Sequence, residues 1–235
     1  GIEKDIYVPH AKPILKENIE NTKKELLEKG LEISCITSSC LLFDNDKERY
    51  LAEGKEYIDL AKELSAPYVR VLGDKDPEPS DSVNKNQVAE MLRELGDYAK
   101  SSNVQVLIET NGIFADSKVL VELMDKVGSS NVGILWDIHH PYRFFNESIR
   151  ETYGRLKDFI KHIHVKDSYI ENGRIRYCLL GQGDVPVEEA IRLLMENGYN
   201  GYVSLEWVKR WYYELEDPGV VFPHFINAIK TIIKS

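Results

Sequence analysis

Four of the six histidines in this 235-residue chain fall in two short segments, WDIHH (136–140) and HIHVKD (162–167), each closing a hydrophobic run beside carboxylates. Imidazole and carboxylate gathered at strand ends can ligate a divalent cation or move a proton. Two more runs end in an acid: VQVLIE (104–109) in Glu109 and YVSLE (202–206) in Glu206. Side chains alternate between the two faces of a strand. In IKHIHVK, Ile160, His162, His164 and Lys166 are therefore expected on one face, with Ile163 and Val165 on the other. The same rule groups Glu109 with Gln105 and Leu107, Asp137 with Gly133 and Leu135, and Glu206 with Ser204. Glu109, Asp137, His164 and Glu206 are thus expected to point inward at the same end of four successive strands. Three carboxylates there would repel one another and raise each other's pKa, whereas one divalent metal ion satisfies them. Three oxygen ligands and one imidazole form a fairly hard set, which favours Mn²⁺ and also suits Mg²⁺, Co²⁺ or Zn²⁺.

Other residues near these strand ends have two readings. His140 and Arg143 follow Asp137 in the same loop and are expected to hold substrate oxygens, although Arg143 serves equally well as a surface ion-pair residue. Lys166 and Asn111, just beyond ligand-bearing strands, share that ambiguity. His162 should lie one layer deeper, in a structural role, and His139 should point away from the metal. The aromatic group Trp207, Trp211, Tyr212 and Tyr213 either walls a sugar pocket or covers the end of the fold, and cover is favoured. His10 and His224 carry no functional expectation.

Positioning these groups requires a repeating framework. Short β-rich runs recur at LEISCI (31–36), PYVRVL (67–72), VQVLIE, VGILWD (132–137), IKHIHV (160–165) and YVSLE. Polar segments with helical apolar spacing separate them, such as Ile14, Ile19 and Leu26 to Leu27, or Val88, Met91, Leu92 and Leu95. Gly30 and Gly198 follow helical segments where a left-handed cap is expected. Strand alternating with helix implies a parallel sheet. No linker rich in Pro, Gly or Ser divides the chain, so a single domain over residues 1–235 is expected. An open doubly wound sheet is the structural alternative, but no glycine-rich phosphate loop follows an early strand.

Composition narrows the partners. A formal net charge of −9 disfavours nucleic acid. No apolar stretch approaches the ~18 residues of a membrane span, and no export signal opens the chain. Cys35, Cys40 and Cys178 form no CxxC pair or disulfide framework, which fits a reducing compartment. A cytoplasmic location is expected.

The segments ETN (109–111), WDIHHP (136–141), HIHVKDS (162–168), GQGDVP (181–186) and SLEW (204–207) together resemble the xylose isomerase-like barrel superfamily of sugar-phosphate isomerases and epimerases. The likeness runs from the opening GIE onward. It implies a (β/α)8-type TIM barrel, with Glu109, Asp137, His164 and Glu206 as single-metal ligands and His140 contacting substrate. Members usually have a strand and helix before GIE, so a barrel lacking its first strand and helix is expected, with GIE as a seventh strand.

The resemblance implies a divalent-metal-dependent sugar or sugar-phosphate isomerase or epimerase, with Glu109 and Glu206 as the acid and base. A dehydratase acting on a keto-polyol is the alternative, because the same enolate could expel a β-hydroxyl. An endonuclease needs more histidine ligands and a basic groove, and a non-catalytic metal- or sugar-binding barrel sits poorly with intact ligands. A small sugar-derived substrate is expected, and exposed aromatics near Trp211 to Tyr213 suggest a homodimer.

Overall fold

A computed structural model describes residues 7–234. Six strands form one parallel sheet: β1 (Ile36–Leu41), β2 (Tyr68–Leu72), β3 (Gln105–Glu109), β4 (Val132–Asp137), β5 (Ile160–Val165) and β8 (Val203–Leu205), ordered β1-β2-β3-β4-β5-β8. A separate antiparallel hairpin, β6 (Asp167–Glu171) and β7 (Arg174–Cys178), stands between β5 and β8 in the chain. The sheet curls as part of a (β/α)8 barrel. Tyr202, just before β8, hydrogen-bonds Glu32 in the segment leading to β1. The expected GIE strand lies outside the described residues.

Eight α-helices are found among the described residues: α1 (Ile19–Glu28), α2 (Lys47–Leu64), α3 (Lys85–Ala99), α4 (Ser117–Val127), α5 (His139–Phe145), α6 (Ile149–Leu156), α7 (Val187–Glu196) and α8 (Pro218–Lys234). Their starts are chemically marked. The side chains of Asp46, Asn84 and Asp116 accept backbone N–H groups at the first turns of α2, α3 and α4, and Ser148 with Glu151 forms a capping box on α6. Such caps satisfy donors that have no partner within the helix. Gly30 and Gly198 both adopt positive φ after their helices, as expected.

The alternation rule holds through the middle of the sheet. Val106, Ile108, Ile134, Trp136, Ile163 and Val165 enter one apolar cluster with Val88, Met91, Leu92 and Leu95 of α3. That leaves the other face of β3, β4 and β5 for polar groups at the strand ends. Among the described residues, no helix is long and apolar enough to cross a membrane.

Two local expectations need correction. The first strand is ITSSCL rather than LEISCI: Ile36, Ser38 and Cys40 are buried, whereas Leu31 is exposed. Serine is a poor strand former, but Ser38 Oγ donates to the Arg70 carbonyl (2.6 Å) and Ser39 Oγ to Glu53 (2.7 Å), so these hydroxyls find partners in place. In β5, Ile160 does not share the inward face with His162. The β4–β5 register runs Ile134↔Ile160 and then Leu135↔His162, so Lys161 is an extra bulged residue that resets the alternation. Ile160 therefore joins the outer apolar cluster.

Candidate active site

Four strand ends bring Glu109, Asp137, His164 and Glu206 together, with one potential ligand atom from each lying within 4.8 Å of the others. Parallel pairing explains the convergence: Glu109 is registered with Leu135, and Asp137 with His164. Glu206 N donates to the Val165 carbonyl (3.0 Å), which continues the β5–β8 ladder to the site. Thr110 ties two of these ends, its hydroxyl donating to the Asp137 carbonyl (3.0 Å) and accepting from Asp137 N (2.8 Å).

Two cations lie among the three carboxylates. Lys166 Nζ bonds both Asp137 and Glu206, and Arg70 Nε lies 3.0 Å from Glu109 Oε2. Burial alone would raise the Glu109 carboxyl, but Arg70 and His164 hold it at about 2. Burial likewise opposes charge on Glu206, yet Lys166 and His164 bring it well below the usual carboxylate range. At Asp137 burial prevails over His140 and Lys166, and its pKa is raised. Lys166 would be lowered by burial but is raised by Asp137 and Glu206. His164 is raised too, because the Glu109 and Glu206 carboxylates overcome its burial.

The donor set fits a divalent ion. His164 Nδ1 is buried without a hydrogen-bond partner, 3.7 Å from Glu109 Oε1 and 3.8 Å from Glu206 Oε1. A nitrogen held near two carboxylate oxygens, yet too far to bond either, suits ligands each ~2.0–2.2 Å from a shared cation. A second potential group, Asp137, His139 and His140, shares Asp137 with the first. Its His139 Nε2 is engaged with Ser168 Oγ at 2.9 Å, and its Nδ1 has no hydrogen-bond partner.

The expected substrate-binding residues separate. His140, Lys166 and Asn111 line the cavity above the cluster. His140 Nδ1 meets the Thr110 carbonyl at 2.8 Å; a carbonyl only accepts, so Nδ1 carries the hydrogen and Nε2 is left toward Asp137. Asn111 Nδ2 donates to the carbonyls of Asp74 (3.2 Å) and Asp76 (3.1 Å), so its amide also braces a loop. Arg143 is not among the cavity-lining residues: it donates to the Ser168 carbonyl (2.8 Å), Ser168 Oγ (2.9 Å) and Asp184. The His139 ring stacks on Tyr177 at 5.5 Å.

Sequence reasoning missed Arg70 and Tyr177, both lining the cavity. Arg70 follows from alternation in YVRVL, where a charged residue sits between two buried valines. Tyr177 had no comparable signal, because its position depends on the hairpin. The GQGDVP segment also gains an explanation. The Asp167 carboxylate accepts from Ser168 N (2.8 Å), Gly181 N (2.8 Å), Gly183 N (3.0 Å) and Val185 N (3.2 Å). A side chain at Gly183 would collide with that carboxylate.

A curled parallel α/β sheet with acids and a histidine at one end of its strands defines a TIM-barrel protein. The chain belongs to the xylose isomerase-like TIM barrel family, whose profile matches residues 1–224. It is 26% identical over 160 residues to fructoselysine 3-epimerase of Shigella flexneri, covering 64% of this chain and 56% of that protein. The chain thus spans little more than half the length of that relative. Inosose isomerase of Halalkalibacterium halodurans is 26% identical over 202 residues, 78% of this chain and 70% of that one. Inosose dehydratase of Clostridium perfringens is 24% identical over 164 residues, covering 62% and 52%.

Solved structures agree on the fold. A xylose isomerase domain protein from Planctomyces limnophilus superposes with a TM-score of 0.79 at 20% identity, covering 96% of this chain and 85% of that one. A xylose isomerase-like TIM barrel protein from Mycobacterium smegmatis in complex with magnesium has a TM-score of 0.68 at 23% identity, with 81% and 71% covered. An IOLI protein with a bound zinc atom has a TM-score of 0.71 at 19% identity, with 94% and 85% covered.

Proposed function

We propose that this chain is a divalent-metal-dependent isomerase or epimerase of a keto-sugar or sugar phosphate, acting by proton transfer beside the carbonyl. The observation that carries the reading is two glutamates, Glu109 and Glu206, approaching one buried, unbonded histidine nitrogen from strands separated by β4 and β5. The names of the epimerase and isomerase relatives point to the same substrate class. Glu109, Asp137, His164 and Glu206 would hold the ion, with Mn²⁺ favoured and Mg²⁺, Co²⁺ or Zn²⁺ also compatible. When bound, the ion supplies Lewis-acid polarisation and charge compensation.

The residues of the chain divide the remaining work. With His164 neutral, as a ligand would be, three carboxylates set against Lys166 and Arg70 leave one net negative charge. A divalent ion held by these residues would supply compensating positive charge, and a site of that sign would favour an anionic enediolate over a neutral ketose. One glutamate removes the proton on the carbon next to the carbonyl. Return by the other glutamate to the opposite face of that carbon gives an epimer, and transfer to the neighbouring carbon gives an isomer. His140, with its hydrogen committed at Nδ1, offers Nε2 as an acceptor for a substrate hydroxyl.

The test is exchange in deuterated water, followed by proton NMR across keto-sugars with Mn²⁺ present. Deuterium entering the carbon beside the carbonyl, and its loss in Glu109→Gln and Glu206→Gln, is the expected result. No exchange from a folded, Mn²⁺-loaded protein would overturn the reading. The inosose dehydratase relative favours a second outcome, in which the same enolate expels a β-hydroxyl. An unsaturated or deoxy-keto product, detected by its absorbance, separates the two.

A further inference from the structure

The cavity lining is of two kinds. It combines Glu109, Glu206, Lys166 and Arg70 of the charged cluster with the apolar or aromatic Leu72, Pro77, Trp211 and Tyr212. Trp211 is 63% exposed and Tyr212 40% exposed. Large rings left in water at the mouth of a polar site gain by covering an apolar partner. Arg210 lies over the Trp211 ring at 5.4 Å, and Tyr212 packs on Tyr177 at 5.0 Å.

Both sides of the rim are built. The loop after β2 is held by the buried Asp74 carboxylate, which accepts from Lys75 N (2.7 Å), Ser80 N (3.0 Å) and Ile113 N (2.9 Å). Gly112 permits this approach, since a side chain there would strike Asp74. Across the mouth, Trp207 Nε1 donates to the Glu216 carbonyl (2.8 Å), and Lys209 Nζ donates to the Tyr213 carbonyl (3.0 Å) and pairs with Asp217 (3.1 Å). Walls fixed before binding lose little entropy when a ligand arrives.

The cavity volume is about 420 Å³, within the roughly 300–1,000 Å³ of pockets that bury drug-sized ligands, which are larger than a single six-carbon sugar. At the rim Lys75 neighbours Asp76, Lys209 is paired with Asp217, and Arg210 packs on the Trp211 ring. We propose that the substrate is a ketose bearing a neutral, glycosidically linked second ring. The ketose end rests on the charged cluster, and the outer ring lays its C–H face on Trp211 and Tyr212. This inference rests on the proton-transfer reading for that cluster.

The probes are fructose, fructose 6-phosphate and two disaccharides with a free ketose end, isomaltulose and lactulose. Each is assayed for deuterium exchange with Mn²⁺ and for quenching of tryptophan fluorescence, in the unaltered chain and in Trp211→Ala. At least one disaccharide should exceed both fructose and its phosphate in kcat/KM by roughly ten-fold or more, and Trp211→Ala should bring that ratio close to one. Saccharide quenching that depends on Trp211, without exchange on any sugar, would keep the outer subsite and overturn the reaction. Equal exchange on fructose and the disaccharides, or preference for the phosphate, would overturn the subsite and keep the reaction. Neither exchange nor quenching overturns both. A dimer seen by light scattering that Trp211→Ala dissociates would assign the aromatic rim to a second copy of the chain and overturn the proposal.

Discussion

His162 and His164 lie two residues apart on β5, yet they occupy opposite electrostatic environments. His162, the deeper of the two, is 2.9 Å from Ser204 Oγ and 6.1 Å from the Tyr68 ring, with no carboxylate bonded to it. Burial, reinforced by the neighbouring charge of His164, lowers its pKa to about 4. His164, one layer nearer the mouth, is drawn the other way by Glu109 and Glu206. The same side chain is thus a neutral packing group in one layer and a candidate ligand in the next. Depth in the barrel, more than residue type, separates structure from chemistry, in keeping with the strand C-terminal location of catalytic groups in this fold.

The sharpest way to break this contrast is at the acid of the mouth. Glu206→Gln should remove at least ~10²-fold of the exchange rate with partial survival of sugar binding, whereas Ser204→Ala, one layer below, should change the rate by less than about three-fold. Equal losses in the two variants would dissolve the distinction between layers. Next comes the mouth's own cation. Lys166→Met leaves Asp137 and Glu206 without their shared partner, and a broken buried pair costs about 3–5 kcal/mol. Urea unfolding should show that loss in metal-free protein, and added Mn²⁺ should recover part of it; a variant as stable as the parent would contradict the charge balance.

The deep layer is tested by acid. From about pH 6.5 down to about pH 4, the unfolded chain binds a proton at residue 162 that the folded chain refuses. Stability therefore falls as pH drops through that window, by up to about 3 kcal/mol from this residue. His162→Asn should flatten that limb in urea titrations, and an unchanged slope would remove His162 from the account. The smallest expected effect is at Arg70. In Arg70→Met, Glu109 loses the cation that holds its pKa at about 2, but Mn²⁺ loading is limited by the raised His164 and Asp137, so the pH at which it begins should move by less than about one unit. Isothermal titration from pH 4 to 7 measures that shift.

Much of the fold was legible because helix and strand periods alternate and the middle strands are strongly patterned. The set Glu109, Asp137, His164 and Glu206 was legible for the same reason, since each closes a strand whose outward residues are apolar. Three things were not legible. The bulge at Lys161 moved Ile160 because one extra residue reverses facing without altering composition. The first strand slid to Ile36–Leu41 because Ser38 and Ser39 find hydroxyl partners that only the folded chain supplies. The β6–β7 hairpin arose after HIHV, and with it Tyr177 entered the cavity while Arg143 was drawn to Ser168 and Asp184. Those are tertiary consequences of the Asp167 carboxylate gathering the GQGDVP backbone, which no local period records.

Manganese titration by electron paramagnetic resonance tests the central claim most directly, comparing the parent chain with His164→Asn and His162→Asn. One tightly held ion per chain, lost in His164→Asn and kept in His162→Asn, is the predicted result. No bound ion in the folded parent, or equal loss in both variants, would contradict the assignment of Glu109, Asp137, His164 and Glu206 as a metal centre.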